Sequence, residues 1–112
     1  MGVMTALAVV FAIYWFSHYT LFNISGRSMV EYGINDGDSF WITDGDCNIG
    51  DTCVFDCLTE KCHNGLEIIK KVKDKNDNCY WMEGNPSGKY TNDSRKYGWL
   101  CDNELKIIGV VK

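Results

Sequence analysis

The first 26 residues contain no aspartate, glutamate, lysine or arginine, and every such residue of the chain lies from Arg27 onward. Gly2 to Phe16 is almost wholly apolar, and with the mixed stretch to Phe22 the run reaches the roughly 20 residues that cross a bilayer as a helix. Aromatic residues cluster at its C-terminal end, where amphipathic rings prefer the headgroup region. The pattern predicts a transmembrane anchor over residues 1–22, in contact with the lipid bilayer, and a separate domain over residues 23–112.

Two alternatives to an anchor are a cleavable signal peptide and a buried core helix. A cleavable signal peptide would carry a basic segment before its apolar run and a small-x-small cleavage site after it, and neither occurs ahead of Ser28. A buried core helix would need cover on every face, which the rest of so short a chain can hardly supply. The basic residues all follow the apolar segment, so the positive-inside rule taken literally would put the domain in the cytoplasm.

The length and the composition of the chain are those of one folded domain. The 112-residue chain has room for no more than one. The chain has a net charge of -4 and a pI near 5.0. A nucleic-acid-binding protein instead presents a surface of clustered basic residues. The only dense basic run covers residues 70–73, and Asp74 and Asp77 follow it closely. We therefore expect no nucleic-acid partner.

Beyond Arg27, short apolar or alternating runs are separated by turn residues at close intervals, which is typical of an all-β domain. The separating segments are rich in Gly, Asn and Asp. No Gly-rich phosphate loop, dinucleotide-binding fingerprint or internal repeat occurs. The sequence predicts a mainly β fold with strands at Ser39–Thr43, Thr52–Leu58, Leu66–Lys73, Asn78–Glu83 and Glu104–Val111.

The six cysteines are an even number in a short chain, which suits disulfides if the domain lies in an oxidising compartment. The sequence does not choose among the possible pairings. Free core thiols are one alternative. A zinc site at Cys53, Cys57, Cys62 and His63 is another, although the spacings match none of the usual paired cysteine patterns. We expect neither a metal nor a cofactor.

Ser28 is the candidate nucleophile. It follows Gly26 and Arg27 a few residues after the anchor, where a serine on a tight turn can have backbone N–H groups facing the same space. Acyl transfer needs a nucleophile beside such donors, because they stabilise the tetrahedral oxyanion. Gly26-Arg27-Ser28-Met29, followed by the segment 33–38 (Gly-Ile-Asn-Asp-Gly-Asp), resembles the nucleophile box of the Ser-Lys peptidase clan that contains signal peptidase I and the LexA-type repressors.

Three further stretches resemble that clan in the expected order. Residues 50–54 (Gly-Asp-Thr-Cys-Val) look like the Gly-Asp-x-Val strand start of signal peptidases, and residues 68–72 (Ile-Ile-Lys-Lys-Val) look like the lysine box. Residues 91–98 are similar to the Ser-x-Asp-Ser-Arg-x-x-Gly box that is peculiar to signal peptidases. The resemblance thus covers residues 26–98 and implies a small signal-peptidase-like or LexA-like catalytic β domain.

The choice between the adjacent lysines follows from strand periodicity, because alternate residues of a strand share a face. Ile68, Lys70 and Val72 form an apolar face, whereas Ile69 falls on the more polar face with residues 67, 71 and 73. Lys70 is therefore the lysine placed to be buried. Burial matters because a lysine with its ordinary pKa near 10.4 stays protonated at neutral pH and cannot accept a serine proton.

The resemblance assigns roles to further residues. Lys70 would be the general base, Thr91 the hydroxyl that orients it, and Met29 a substrate contact. The backbone N–H of Ser28 would be the first oxyanion donor, and a second donor at Gly26 could only be its backbone. The set Asp93, Ser94 and Arg95 would support the site structurally, with Asp93 and Arg95 as an ion pair.

The chain departs from the family in three places. Val30, Glu31 and Tyr32 stand where the family has x-Pro-Thr, Gly84-Asn85 replaces Gly-Asp-Asn, and the Gly-Leu-Pro-Gly-Asp after the lysine is absent. His63 is an alternative base, as in some clan members, although it falls in a predicted turn.

The resemblance implies a membrane-anchored serine endopeptidase that cleaves signal peptides from exported proteins. Its partners would be a preprotein or peptide substrate and the lipid bilayer, with the domain on the extracytoplasmic side. One alternative is a self-cleaving LexA-type regulatory domain, which is disfavoured because no DNA-binding module and no Ala-Gly or Cys-Gly dipeptide precedes Ser28. The other is a catalytically silent, membrane-anchored binding module.

Overall fold

The structure, a computed structural model, describes residues 19–111. This part of the chain forms one seven-stranded antiparallel sheet, which confirms the mainly β prediction. The strands are β1 Tyr19–Asn23, β2 Ser39–Thr43, β3 Thr52–Cys57, β4 Glu67–Asn76, β5 Cys79–Glu83, β6 Leu100–Cys101 and β7 Leu105–Val111. Their order in the sheet is β1-β2-β7-β3-β4-β5-β6. Two short 3-10 helices, at Val30–Tyr32 and Glu60–Cys62, and one helical turn, α1 at Ser94–Tyr97, lie in the connections.

The five predicted strands all form, with small shifts at their ends. The largest shift is in β4, which continues to Asn76 because it forms a tight hairpin with β5. Asp77 closes that hairpin with a left-handed φ of 50°, a conformation that aspartate tolerates better than most residues. The connection between the predicted strands Leu66–Lys73 and Asn78–Glu83 is therefore shorter than expected.

β1 and β6 were not predicted. β1 contains residues 19–22, which the sequence analysis assigned to the anchor, and it pairs with β2 from Tyr19 opposite Thr43 to Asn23 opposite Ser39. These residues thus belong to the sheet, as their aromatic and β-branched side chains favour. Residues 1–18 of the predicted anchor lie outside the described residues. Within residues 19–111, no helix has the length and apolar character to cross a membrane.

Both faces of the central strands are covered. A large core gathers around Phe55, and a small core gathers around Val54, its neighbour on β3. Ile68 and Val72 of β4 pack into the large core, whereas Ile69 packs into the small one with only 6% of its surface exposed. The assignment of Ile69 to a polar face was therefore wrong, because the small core covers that face of β4 and the large core covers the other.

All six cysteines form disulfides, so the alternatives of a cysteine zinc site and of free thiols are not realised. Such crosslinks stabilise small domains whose cores are limited. One disulfide joins β5 to β6, one closes the loop around the second 3-10 helix, and one ties the segment before β3 to that strand. The pairs are Cys79–Cys101, Cys57–Cys62 and Cys47–Cys53.

Candidate active site

Ser28 lies in the loop that joins β1 to β2. The base of this loop is fixed by backbone hydrogen bonds from Ile24 N–H to the Asp38 carbonyl (2.7 Å) and from Gly37 N–H to the Ile24 carbonyl (2.9 Å). Gly26 turns the chain just before the serine with a φ of 95°, a conformation that glycine adopts without strain. Ser28 is therefore presented on a turn, as the sequence predicts.

Lys70 lies next to Ser28. Its Nζ is 2.9 Å from Ser28 Oγ and 3.1 Å from the carbonyl oxygen of Ile69, and the residue is only 4% exposed. Burial lowers the pKa of Lys70 from 10.5 to about 8, although the negative charge of Asp93 raises it in part. The protonated amine donates a hydrogen bond to Oγ, and the neutral form has a lone pair that can accept the hydroxyl proton. The predicted burial and proximity of Lys70 are both confirmed.

Thr91 and Gly84 pack against the carbonyl side of Ser28. A Cβ placed on Gly84 would lie 2.3 Å from Thr91 Oγ1 and 2.5 Å from the Ser28 carbonyl oxygen. Thr91 is buried, but its hydroxyl makes no hydrogen bond within residues 19–111, so the expected bond to Lys70 is not formed. Thr91 therefore lies beside Gly84, and the hydrogen bond to Lys70 that the resemblance implies is absent.

Asp93 and Arg95 form the expected ion pair, with Nη2 of the guanidinium 2.6 Å and Nε 3.1 Å from the two carboxylate oxygens. Asp93 also accepts the N–H of Gly84 (2.9 Å) and caps α1 by accepting the N–H of Arg95 (3.0 Å). Burial opposes ionisation of Asp93, yet these hydrogen bonds and the guanidinium charge together lower its pKa. Ser94 is buried and accepts the Met82 N–H at 2.9 Å, which ties α1 to β5.

Two of the predicted site residues have other contacts. Met29 is 1% exposed, packs in the small core and is not among the residues that line the cleft beside Ser28, so the structure does not support its assignment as a substrate contact. The N–H of Gly26 donates to the Asp36 carboxylate at 2.8 Å and is not directed at an oxyanion. The N–H of Ser28 makes no hydrogen bond to any residue in the described part of the chain.

Ser28 and Lys70 open into a cleft of about 420 Å³. Its walls combine apolar side chains with polar ones, and the exposed His63 lies on one wall. His63, the alternative base, makes no hydrogen bond to Ser28 in the described structure. Residues of β1, the β1–β2 loop, β4 and the 84–93 segment line the cleft, among them Phe22, Asn23, Ser25, Gly26, Arg27, Ile68, Ile69, Tyr90 and Asn92.

Sequence reasoning missed Asn85. It is 0% exposed, and its backbone N–H donates to the Ser28 carbonyl at 2.7 Å. The sequence analysis noted Gly84-Asn85 only as a shortened family motif. A sharper signal was available, because an asparagine between a glycine and a proline is usually placed in a turn by its hydrogen bonds.

Comparison with known proteins adds no family assignment. No protein-family model matches the chain, and no curated protein matches it.

Proposed function

We propose that the protein is a serine endopeptidase of the signal-peptidase type, in which Ser28 is the nucleophile and Lys70 the general base. The observation that carries the proposal is the 2.9 Å contact between Lys70 Nζ and Ser28 Oγ, made by a lysine that is 4% exposed. A buried lysine beside a serine hydroxyl has few structural reasons to be there, because burying an ammonium group is costly. A lowered pKa beside a cleft is also typical of catalytic bases.

The chemistry follows from the contact. As Ser28 Oγ bonds to the scissile carbonyl carbon, the neutral Lys70 amine takes the hydroxyl proton and the carbonyl electrons move to oxygen. The oxyanion then collapses, the C–N bond breaks, and the Lys70 ammonium returns the proton to the leaving amine. Water, deprotonated by the same amine, hydrolyses the acyl-enzyme and regenerates the Ser28 hydroxyl. The N–H of Ser28 is one donor available to the oxyanion.

The proposed substrate class and location are supported by the sequence and by the disulfides. The apolar segment before β1 supports a membrane anchor, and the three disulfides are consistent with an extracytoplasmic domain. The substrate would be a preprotein or peptide whose cleavage site lies near the bilayer surface. It would enter the cleft beside Ser28 in extended form.

The test is cleavage of a preprotein by the full chain reconstituted in lipid vesicles. Ser28→Ala and Lys70→Ala should each abolish cleavage, with a loss of about 1,000-fold or more. Ser39→Ala and Lys73→Ala are matched controls, because both side chains are exposed and neither lines the cleft. Cleavage retained by either site variant would contradict the proposal.

A further inference from the structure

Asn85 connects four points of the two segments that meet at the nucleophile. Its Nδ2 donates to the carbonyls of Arg27 (2.9 Å) and Lys89 (2.6 Å), and its Oδ1 accepts the N–H of Glu31 at 2.9 Å. With the backbone bond to the Ser28 carbonyl at 2.7 Å, these contacts bracket the nucleophile on both sides. A primary amide is the side chain suited to this arrangement, because it offers donors and an acceptor from one planar group.

Within its own loop, the residue after Ser28 is well fixed: Met29 packs in the small core, and its carbonyl accepts the Tyr32 N–H at 3.0 Å. The turn contact that spans Ser28 itself, from Val30 N–H to the Arg27 carbonyl, is 3.3 Å, which is long for such a bond. Across more than 50 positions of sequence, residues 27–31 are also held by Asn85 and by the Glu31 carboxylate, which accepts the Ser87 N–H at 2.9 Å. Asn85 is in turn held by the guanidinium of Arg95, whose Nη2 donates to the Asn85 carbonyl at 2.7 Å.

We propose that Asn85 is the positioning residue that holds Ser28 Oγ against Lys70, and that the Asp93–Arg95 pair acts on the nucleophile through it. This inference rests on the proposed peptidase function for its kinetic consequence, but its structural part stands independently. Positioning matters because a displacement of about 1 Å in a reacting group can cost about 100-fold in rate. Asn85 itself does not touch the reacting atoms.

The experiment compares the full chain with two variants of Asn85. Asn85→Asp keeps an acceptor for Glu31 N–H but replaces the amide donors by a charge facing the carbonyls of Arg27 and Lys89. The side chain in Asn85→Ser is too short to make these hydrogen bonds and adds no charge. This variant should therefore disturb folding less than Asn85→Asp. Asn103→Asp, at an exposed turn position, is the matched control.

Two measurements are made on each variant. Hydrogen exchange followed by mass spectrometry compares a peptide covering residues 26–31 with one covering β3. Steady-state cleavage gives kcat and KM. The value of kcat is divided by the folded fraction, which is taken from the protection of β3 against hydrogen exchange. We expect faster exchange in residues 26–31 with β3 unchanged, and a fall in kcat of about 10- to 100-fold with KM within about twofold of wild type.

The outcomes separate this inference from the proposed function. If exchange in residues 26–31 stays at the wild-type rate in the folded fraction of both variants, or kcat per folded molecule is unchanged, Asn85 has no positioning role. If the wild type does not cleave, or Ser28→Ala cleaves as well as wild type, the peptidase proposal fails. In that case the exchange data alone decide whether Asn85 holds the Ser28 loop.

Discussion

Replacing Lys70 by methionine should abolish catalysis and yet stabilise the fold at neutral pH. The reason is the cost of holding a charged amine in a site that is 4% exposed. The fall of the Lys70 pKa from 10.5 to about 8 corresponds to about 3 kcal/mol, which the native state loses wherever the amine is charged. Methionine has a similar length and no charge, so the variant escapes this cost.

Lost hydrogen bonds offset part of the gain. The bonds from Lys70 Nζ to Ser28 Oγ and the Ile69 carbonyl contribute about 1 kcal/mol each. At pH 7 the variant should therefore be more stable than wild type by about 1 kcal/mol. Between pH 8 and 10.5 the unfolded chain binds the lysine proton and the native state does not, so wild-type stability rises with pH. By pH 10 the wild type should be the more stable protein.

The assay is guanidinium unfolding of the purified chain with its disulfides intact, at pH 7 and pH 10. Lys73→Met is the control, because Lys73 is an exposed lysine of the same strand and its replacement should change stability little at either pH. A stability difference between wild type and Lys70→Met that is the same at both pH values would refute the claim that burial destabilises the charged amine.

Three further predictions concern catalysis and the support of the site. The rate of preprotein cleavage should rise with pH through about 8, as neutral Lys70 becomes populated; a pH–rate profile that is flat from pH 6 to 9 would count against it. Gly84→Ala should abolish preprotein cleavage and destabilise the fold by about 2 kcal/mol in thermal unfolding, because the new Cβ meets Thr91 Oγ1 and the Ser28 carbonyl. Wild-type activity in Gly84→Ala would mean that Gly84 does not lie in close contact with Thr91 and the Ser28 carbonyl. Arg95→Lys should keep the positive charge but lose the paired hydrogen bonds from two guanidinium nitrogens to the Asp93 carboxylate, and it should lower kcat more than it raises KM. Unchanged kinetics would show that Arg95 does not act on the site.

Much of the sheet was predictable, because its strands are short apolar or alternating runs and turn residues separate one run from the next. β1 was not, because an uncharged aromatic run has the same composition whether it lies in a bilayer or pairs with β2. The error at Ile69 has a related cause. Period-two patterns assume one buried face, and β4 is covered on both.

The contact between Ser28 and Lys70 was predictable because both residues lie in short sequence motifs and strand periodicity places Lys70 on a buried face. The contacts around it were not. Met29 is adjacent to the nucleophile in sequence, but the 3-10 turn that follows directs its side chain into the small core. Asn85 acts through hydrogen bonds to residues more than 50 positions away, and no local pattern encodes such contacts.

The most direct measurement of the central claim is the rate and position of acylation by a β-lactam-type inhibitor, mapped by mass spectrometry. We expect one adduct, on Ser28, whose rate of formation rises with pH through about 8 and which does not form in Lys70→Met. An adduct on another residue, or acylation of Ser28 at the wild-type rate in Lys70→Met, would contradict it.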